Sequence, residues 1–168
     1  MKTFLATVIT ISDRASKGIY EDLSGKEIVR IMEDTFENAG AFINVCNFVI
    51  PDETILLRAV LEKEIRLETD FIITTGGTGI GPRDITPDVV MPMLTKQIPG
   101  IMELIRVKYG LQFASAALSR SVAGVANKSL VYCLPGSPKA VVEYMSEITK
   151  TIFHCHKMLH GSSDHNNS

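Results

Sequence analysis

The hydrophobic pattern divides the chain into alternating strands and helices. Phe4 to Ile11 is apolar and rich in β-branched residues, which predicts a buried strand. Ser12 to Leu23 is polar, contains Gly18 and reads as a loop. Ser24 and Glu27 match a capping box, with Ser24 at the N-cap and Glu27 at the third helical position. Ile28, Ile31, Met32 and Phe36 follow at helical spacing, and Gly40 suits the stop. Ile43 to Ile50 predicts a second strand. Pro51-Asp52 opens a helix whose apolar stripe includes Ile55, Leu56, Ala59, Val60 and Ile65. Phe71 to Thr75 predicts a short third strand that runs straight into a glycine-rich loop.

Thr86-Pro87-Asp88 reads as a helix start, with Thr at the N-cap, Pro at the first helical position and Asp in the first turn. Pro92 and Pro99 divide the next stretch into short pieces, and a helix is expected over Ile101 to Tyr109. Ser129 to Leu134 predicts a strand ending at Pro135-Gly136-Ser137-Pro138, and one long helix is expected from Pro138 to Leu159. Strands alternating with helices imply an α/β fold with a largely parallel sheet. Ligands of such sheets bind beyond the carboxyl ends of the strands. Ser12-Asp13-Arg14, the glycine loop and Pro135-Gly136 are therefore expected to share one cleft. A single domain over residues 1–160 and a polar, disordered tail over 161–168 complete the reading.

Composition narrows the partners. The net charge is −2, which argues against a broad nucleic-acid footprint. No window approaches roughly 18 unbroken apolar residues, so no membrane span is expected, and no basic, apolar leader pattern opens the sequence. Cys46 and Cys133 lie in apolar runs and read as small core residues in a reducing, cytoplasmic setting. Met91, Met93, Met102 and Met145 read as core or subunit-interface filling.

The chemistry concentrates in Thr74-Thr75-Gly76-Gly77-Thr78-Gly79-Ile80-Gly81-Pro82-Arg83-Asp84. Gly76, Gly77, Gly79 and Gly81 tolerate positive φ and leave no side chain between backbone and ligand. Backbone N–H groups in such a turn form a nest for phosphate oxygens, to which Thr75 and Thr78 can add hydroxyls. The start of the next helix adds a positive dipole end. A tight strand–helix connection is the alternative use of these glycines. The loop is neither a Walker A sequence nor a dinucleotide fingerprint. Asp84 changes the picture, because a carboxylate beside a phosphate calls for a cation between them, and Mg²⁺ suits carboxylate plus phosphate oxygens. Arg83 can contact a phosphate directly. For Asp52, spacing alone favours an ordinary N-cap over a second metal ligand. Asp88 reads as a first-turn residue.

At these residues the sequence resembles the molybdopterin-binding family of molybdenum cofactor biosynthesis. Thr74 to Gly79, Arg83-Asp84 and Thr86-Pro87-Asp88 carry the resemblance. Ile11 to Ser16, with Gly18 and Tyr20, resembles its MogA branch specifically. Ile50-Pro51-Asp52-Glu53, Leu118-Ser119-Arg120 and Leu134 to Lys139 also fit, so the likeness spans most of the chain. It implies a three-layer α/β/α sandwich with a largely parallel, mixed sheet, assembled as a homotrimer. It implies adenylyl transfer from ATP to molybdopterin with Mg²⁺, giving adenylyl-molybdopterin and pyrophosphate, and a molybdenum-insertion partner that receives the product. By motif, Asp52 and Asp84 match the family's two catalytic acids, and both are assigned here as metal ligands. Ser12, Asp13, Arg14, Ser119, Pro135, Gly136, Ser137 and Lys139 join the loop residues as binding candidates. Each has a plainer use as a surface charge, cap or turn; Ser137-Pro138 in particular suits a helix start. A MoaB-like protein, or a pterin-binding and delivery protein without turnover, is the alternative function.

His154, Cys155, His156 and His160 stand apart from that site. His156 and His160 have i, i+4 spacing, but Lys157 occupies the place of the Glu in a zinc-protease helix. Complementing the dipole at a helix C-terminus is the favoured reading of these residues.

Overall fold

The computed structural model describes residues 3–161. Strand β1 (Thr3–Ile11) leads through a one-turn helix α1 (Asp13–Ser16) to helix α2 (Leu23–Asn38), then β2 (Phe42–Ile50) and α3 (Thr54–Arg66). Next come β3 (Phe71–Thr75), α4 (Thr86–Val90), β4 (Lys96–Gln97) and α5 (Pro99–Gly110). A 3₁₀ turn (Ala114–Leu118) precedes β5 (Ala123–Ala126), β6 (Ser129–Leu134), α6 (Pro138–Ile148) and α7 (Ile152–His160). The strands form one sheet in the order β2-β1-β3-β6-β5-β4. The first four are mutually parallel, whereas β5 runs antiparallel to both β6 and β4.

Alternation along the strands builds two cores, as a period of two requires. Ala6, Val8, Phe71, Ile73, Leu130 and Tyr132 face one side, where they meet Ile28, Met32 and Phe36 of α2, Met102 and Ile105 of α5, and Val141 and Met145 of α6. Ile9, Ile11, Ile72, Val131 and Cys133 face the other side, against Leu57 and Leu61 of α3 and Val89 and Val90 of α4. The result is a three-layer α/β/α sandwich. An aromatic group closes the first core near the amino ends of the strands. Phe36 packs against Phe4, Phe71 and Phe153 with ring centroids 5.0, 5.5 and 4.6 Å apart.

Several elements differ from the sequence reading. Asp22, not Ser24, caps α2, accepting the Gly25 N–H at 2.8 Å. Ser24 is buried and donates instead to the Gly136 carbonyl at 2.7 Å. Glu53 stands at the N-cap of α3, which frees Asp52 from that duty. The buried stripe of α3 is Leu57, Leu61 and Glu64, with the expected Val60 and Ile65 partly buried against the same core, while Ile55 is 85% exposed. Glu64 is tolerated there because its carboxylate accepts from the hydroxyls of Thr7 and Thr69 at 2.7 and 2.9 Å. Ile85 occupies the cap position of α4, so Thr86 is already helical. The expected long C-terminal helix breaks at Thr149–Thr151 into α6 and α7. The region read as loop after Ile11 contains α1, and β4 and β5 are additional to the expected strands. Cys133 is buried as expected, and burial pushes its thiol up to about 12. Cys46 lies exposed on edge strand β2. Met102 and Met145 fill the core, whereas Met91 is exposed. The tail read as disordered lies, apart from Gly161, outside the described residues.

Phe36→Ala should lower stability by about 3–5 kcal/mol, because it empties the centre of the aromatic group. Urea unfolding monitored by circular dichroism measures this; a loss under about 1 kcal/mol would mean that the site collapses around the gap.

Candidate functional site

Parallel pairing places the exits of β1, β2, β3 and β6 on one edge of the sheet. Because β5 runs the other way, the segment entering it, Ser119–Val122, reaches the same edge. Five chain segments therefore meet there, and hydrogen bonds tie them together.

The glycine loop sits in the middle. The Gly76 N–H donates to the Leu134 carbonyl at 3.0 Å, joining it to the end of β6. Gly76 has a φ of +102°, and a Cβ there would lie 2.3 Å from the Ile11 carbonyl oxygen, so only glycine fits. Gly136 approaches from the other side; its Cβ would meet the Gly76 Cα at 3.2 Å. The Thr75 hydroxyl donates to the Pro135 carbonyl at 2.7 Å, so it fastens two loops together. Thr86 sends its hydroxyl to the Gly76 carbonyl and its N–H to the Gly77 carbonyl, at 2.8 and 3.0 Å. With the carbonyls thus held, the N–H groups of Gly77, Thr78 and Gly79 take no protein acceptor among the described residues. They are donors available to an anion.

Both predicted acids lie against these glycines. A Cβ on Gly77 would come within 3.6 Å of Asp52 Oδ1, and one on Gly79 within 2.7 Å of Asp84 Oδ2. Asp84 Oδ2 accepts the Gly81 N–H at 2.8 Å, which folds the carboxylate back onto the loop. Asp52 Oδ2 accepts the Asp13 N–H at 2.8 Å, and Asp13 Oδ1 accepts the Asp52 N–H at 3.1 Å. This reciprocal pair joins the exits of β1 and β2 and leaves Asp52 Oδ1 facing Gly77. The Oδ1 atoms of Asp52 and Asp84 give hard oxygen donors beside these unpaired N–H groups, a donor set that fits Mg²⁺.

Arg83 is not left facing the nest. Its guanidinium binds Asp13 in bidentate fashion, with the closest contact at 2.6 Å. That hydrogen bond holds the Asp13 carboxyl below its ordinary value. Asp13 is thus a junction between Asp52 and Arg83. Arg120, of the Leu118-Ser119-Arg120 motif, grips the loop from outside. Its backbone N–H donates to the Thr78 carbonyl at 2.8 Å, and its side chain donates to the Gly79 and Asp84 carbonyls at 2.7 and 2.5 Å. It also pairs with the Asp88 carboxylate at 2.8 Å. No spacing rule could have found this, because the partners lie 32 to 42 positions away.

The remaining candidates divide. The Thr78 hydroxyl lies 3.3 Å from that of Ser119, which lies 2.8 Å from that of Ser121. A cavity of about 330 Å³ opens beside the loop, with Phe113, Ser119, Pro135, Ser137, Lys139 and Tyr144 on its walls. Ser137 caps α6, accepting the Ala140 N–H at 3.2 Å. Lys139 rests its ammonium 3.4 Å from the centre of the Phe113 ring. Gly76, Gly77 and Gly79 are not among the walls, so the nest is a rim outside the cavity rather than its floor. Ser12 and Arg14 belong to a separate group: the Ser12 hydroxyl lies 2.7 Å from that of Tyr20, and Arg14 stacks 5.1 Å from the same ring.

Comparison with known proteins places the chain in a family. Residues 7–154 match the family described as "Probable molybdopterin binding domain". The chain is 39% identical over 163 residues to a molybdopterin adenylyltransferase of Helicobacter pylori, covering 96% of this chain and 91% of that protein. It is 37% identical over 157 residues to gephyrin of Dictyostelium discoideum, covering 90% of this chain but 22% of gephyrin. The structure of the molybdopterin biosynthesis Mog protein from Mycobacterium ulcerans superposes with a TM-score of 0.86 at 31% identity, covering 96% of this chain and 100% of that one. The chain belongs to the molybdopterin-binding family of molybdenum cofactor biosynthesis.

Proposed function

We propose that this protein transfers an adenylyl group from ATP to molybdopterin, releasing pyrophosphate. The observation that carries the reading is the pairing of a glycine nest with two carboxylates, Asp52 and Asp84, on its rim. Anion binding alone gains nothing from two carboxylates; phosphate chemistry that needs a cation does. The name of the Helicobacter pylori relative supports the same reading.

The reaction joins two anions. A terminal phosphate oxygen of molybdopterin attacks the α-phosphorus of ATP, and the bond to pyrophosphate breaks. The nucleophile is already ionised near neutral pH, so positioning and charge neutralisation dominate over proton removal. In this reading the N–H groups of Gly77, Thr78 and Gly79 hold phosphate oxygens. Asp52 and Asp84 would hold Mg²⁺, which neutralises phosphate charge when bound. Asp13 positions Asp52 and keeps Arg83 close, and Arg120 positions the loop. The cavity beside Ser119 offers an apolar wall at Phe113 and polar groups at Ser137 and Lys139, suited to one of the two ligands.

We extend this reading to a single domain over residues 1–160, a cytoplasmic setting and a homotrimer that passes its product to a molybdenum-insertion partner. Among the described residues, no helix is long and apolar enough to cross a membrane. The small share of gephyrin that the chain spans is consistent with a partner carried on another domain. On α5 and beyond, Leu104, Val107 and Leu111 are exposed, an apolar strip suited to self-association.

Purified protein incubated with molybdopterin, ATP and Mg²⁺ should release pyrophosphate; folded protein that releases none would leave a binding or delivery role instead. Asp84→Asn and Asp52→Asn should each lower that rate by about 10² or more, and unchanged Mg²⁺ dependence in either would remove its metal role. Arg120→Gln should lower kcat/KM for pyrophosphate release by roughly ten-fold, about 1.4 kcal/mol. Sedimentation at micromolar concentration should give three times the 18.4 kDa chain mass, and a monomer would exclude the trimer.

A further inference from the structure

We propose that Asp70, His156 and His160 form a zinc-type metal site at the opposite edge of the sheet from the glycine loop. Among the described residues, they form a group of His, Cys, Asp or Glu donors that could hold one ion, with all three ligand atoms within 4.8 Å of one another. Asp70 immediately precedes β3, so the site lies about 20 Å from the loop at the far end of that strand. It is independent of the transferase reading.

The donors are positioned from two sides. The Asp70 carbonyl accepts the Leu130 N–H at 2.9 Å, which fixes its backbone to β6. Its Oδ2 accepts the Leu5 N–H at 2.9 Å, which orients the carboxylate and leaves Oδ1 towards His156 Nε2 at 2.8 Å. Such an outer hydrogen bond is the usual means of aiming a ligating carboxylate. His156 is 8% exposed and packs between Phe4 and Phe71, with centroids at 5.0 and 5.5 Å. One helical turn on, the His160 ring stacks on it at 4.2 Å. A buried Asp–His pair would by itself account for His156. It does not account for a second imidazole stacked over the first, within reach of the same carboxylate.

Two imidazoles and one carboxylate suit zinc better than Mg²⁺ or Ca²⁺, which take oxygen ligands. A tetrahedral zinc ion with bonds of about 2.0–2.1 Å holds its donors about 3.3 Å apart. The 2.8 Å pair would open slightly, and the exposed His160 would close in by side-chain rotation. Water would take the fourth position. The ion would fasten α7 to the start of β3.

Chelator-stripped full-length protein should be titrated with Zn²⁺ and followed by calorimetry and thermal unfolding. At about a hundred-fold excess over the dissociation constant, Tm should rise by roughly 5–10 °C. His160→Gln, at an exposed position, should weaken Zn²⁺ binding at least about ten-fold and remove most of the Tm rise. His154→Gln, on the same helix outside the group, should leave both unchanged. No Tm rise in the wild type, or wild-type affinity in His160→Gln, would overturn the site.

Discussion

A strand paired in parallel with its neighbour cannot turn straight back; the chain must leave at one edge, cross the sheet and re-enter at the other. In this protein β2, β1, β3 and β6 all obey that constraint in continuous register. Their exits are therefore adjacent, and loops far apart in sequence become neighbours. The Asp13–Asp52 pair, the Gly76–Leu134 bond and the Ser24–Gly136 bond link positions 39 to 112 apart. None could form without the shared direction of the strands.

Once the exits are together, the glycine loop is held through its carbonyls. Thr86 binds those of Gly76 and Gly77, and Arg120 binds those of Thr78, Gly79 and Asp84. Bonds of this kind are worth about 1 kcal/mol each in net terms, but their larger effect is directional. A peptide whose carbonyl is fixed has its neighbouring N–H fixed too, because the unit is planar. Clamping the acceptors on the protein side turns the donors outward. The same logic explains why hydroxyls that suggested ligand contacts, such as that of Thr75, act as fasteners between loops.

The differences from the sequence reading have a common origin. Ser24 and Thr86 are good cap residues by type, but each hydroxyl is drawn to a distant carbonyl, and Asp22 and Ile85 take the cap positions. On α3 two apolar stripes compete, and the sheet selects the one that includes Glu64, because Thr7 and Thr69 satisfy its carboxylate. Strand β5 is built from Ala123, Gly124, Val125 and Ala126. Apart from Val125 these residues carry little intrinsic strand preference, so pairing with β6 and β4 makes it a strand. At the helix break, the Thr149 and Thr151 hydroxyls donate to the Met145 and Ile148 carbonyls, a local competition that apolar periodicity does not register.

Local physics determined β1, β3, β6, the core face of α2, its Gly40 stop and the Ser137 cap, since these rest on alternation, helical spacing and backbone conformation. The glycine loop and Asp84 were legible for the same reason: the constraint on φ and the charge beside it are written within a few residues. Tertiary structure alone decided that Asp52 is no cap, that Arg83 pairs with Asp13, that Arg120 holds the loop, and that Asp70 meets two histidines from the last helix. Each of these depends on which strand edges lie side by side, and a pairing between residues 32 to 90 positions apart leaves no periodic mark on the chain.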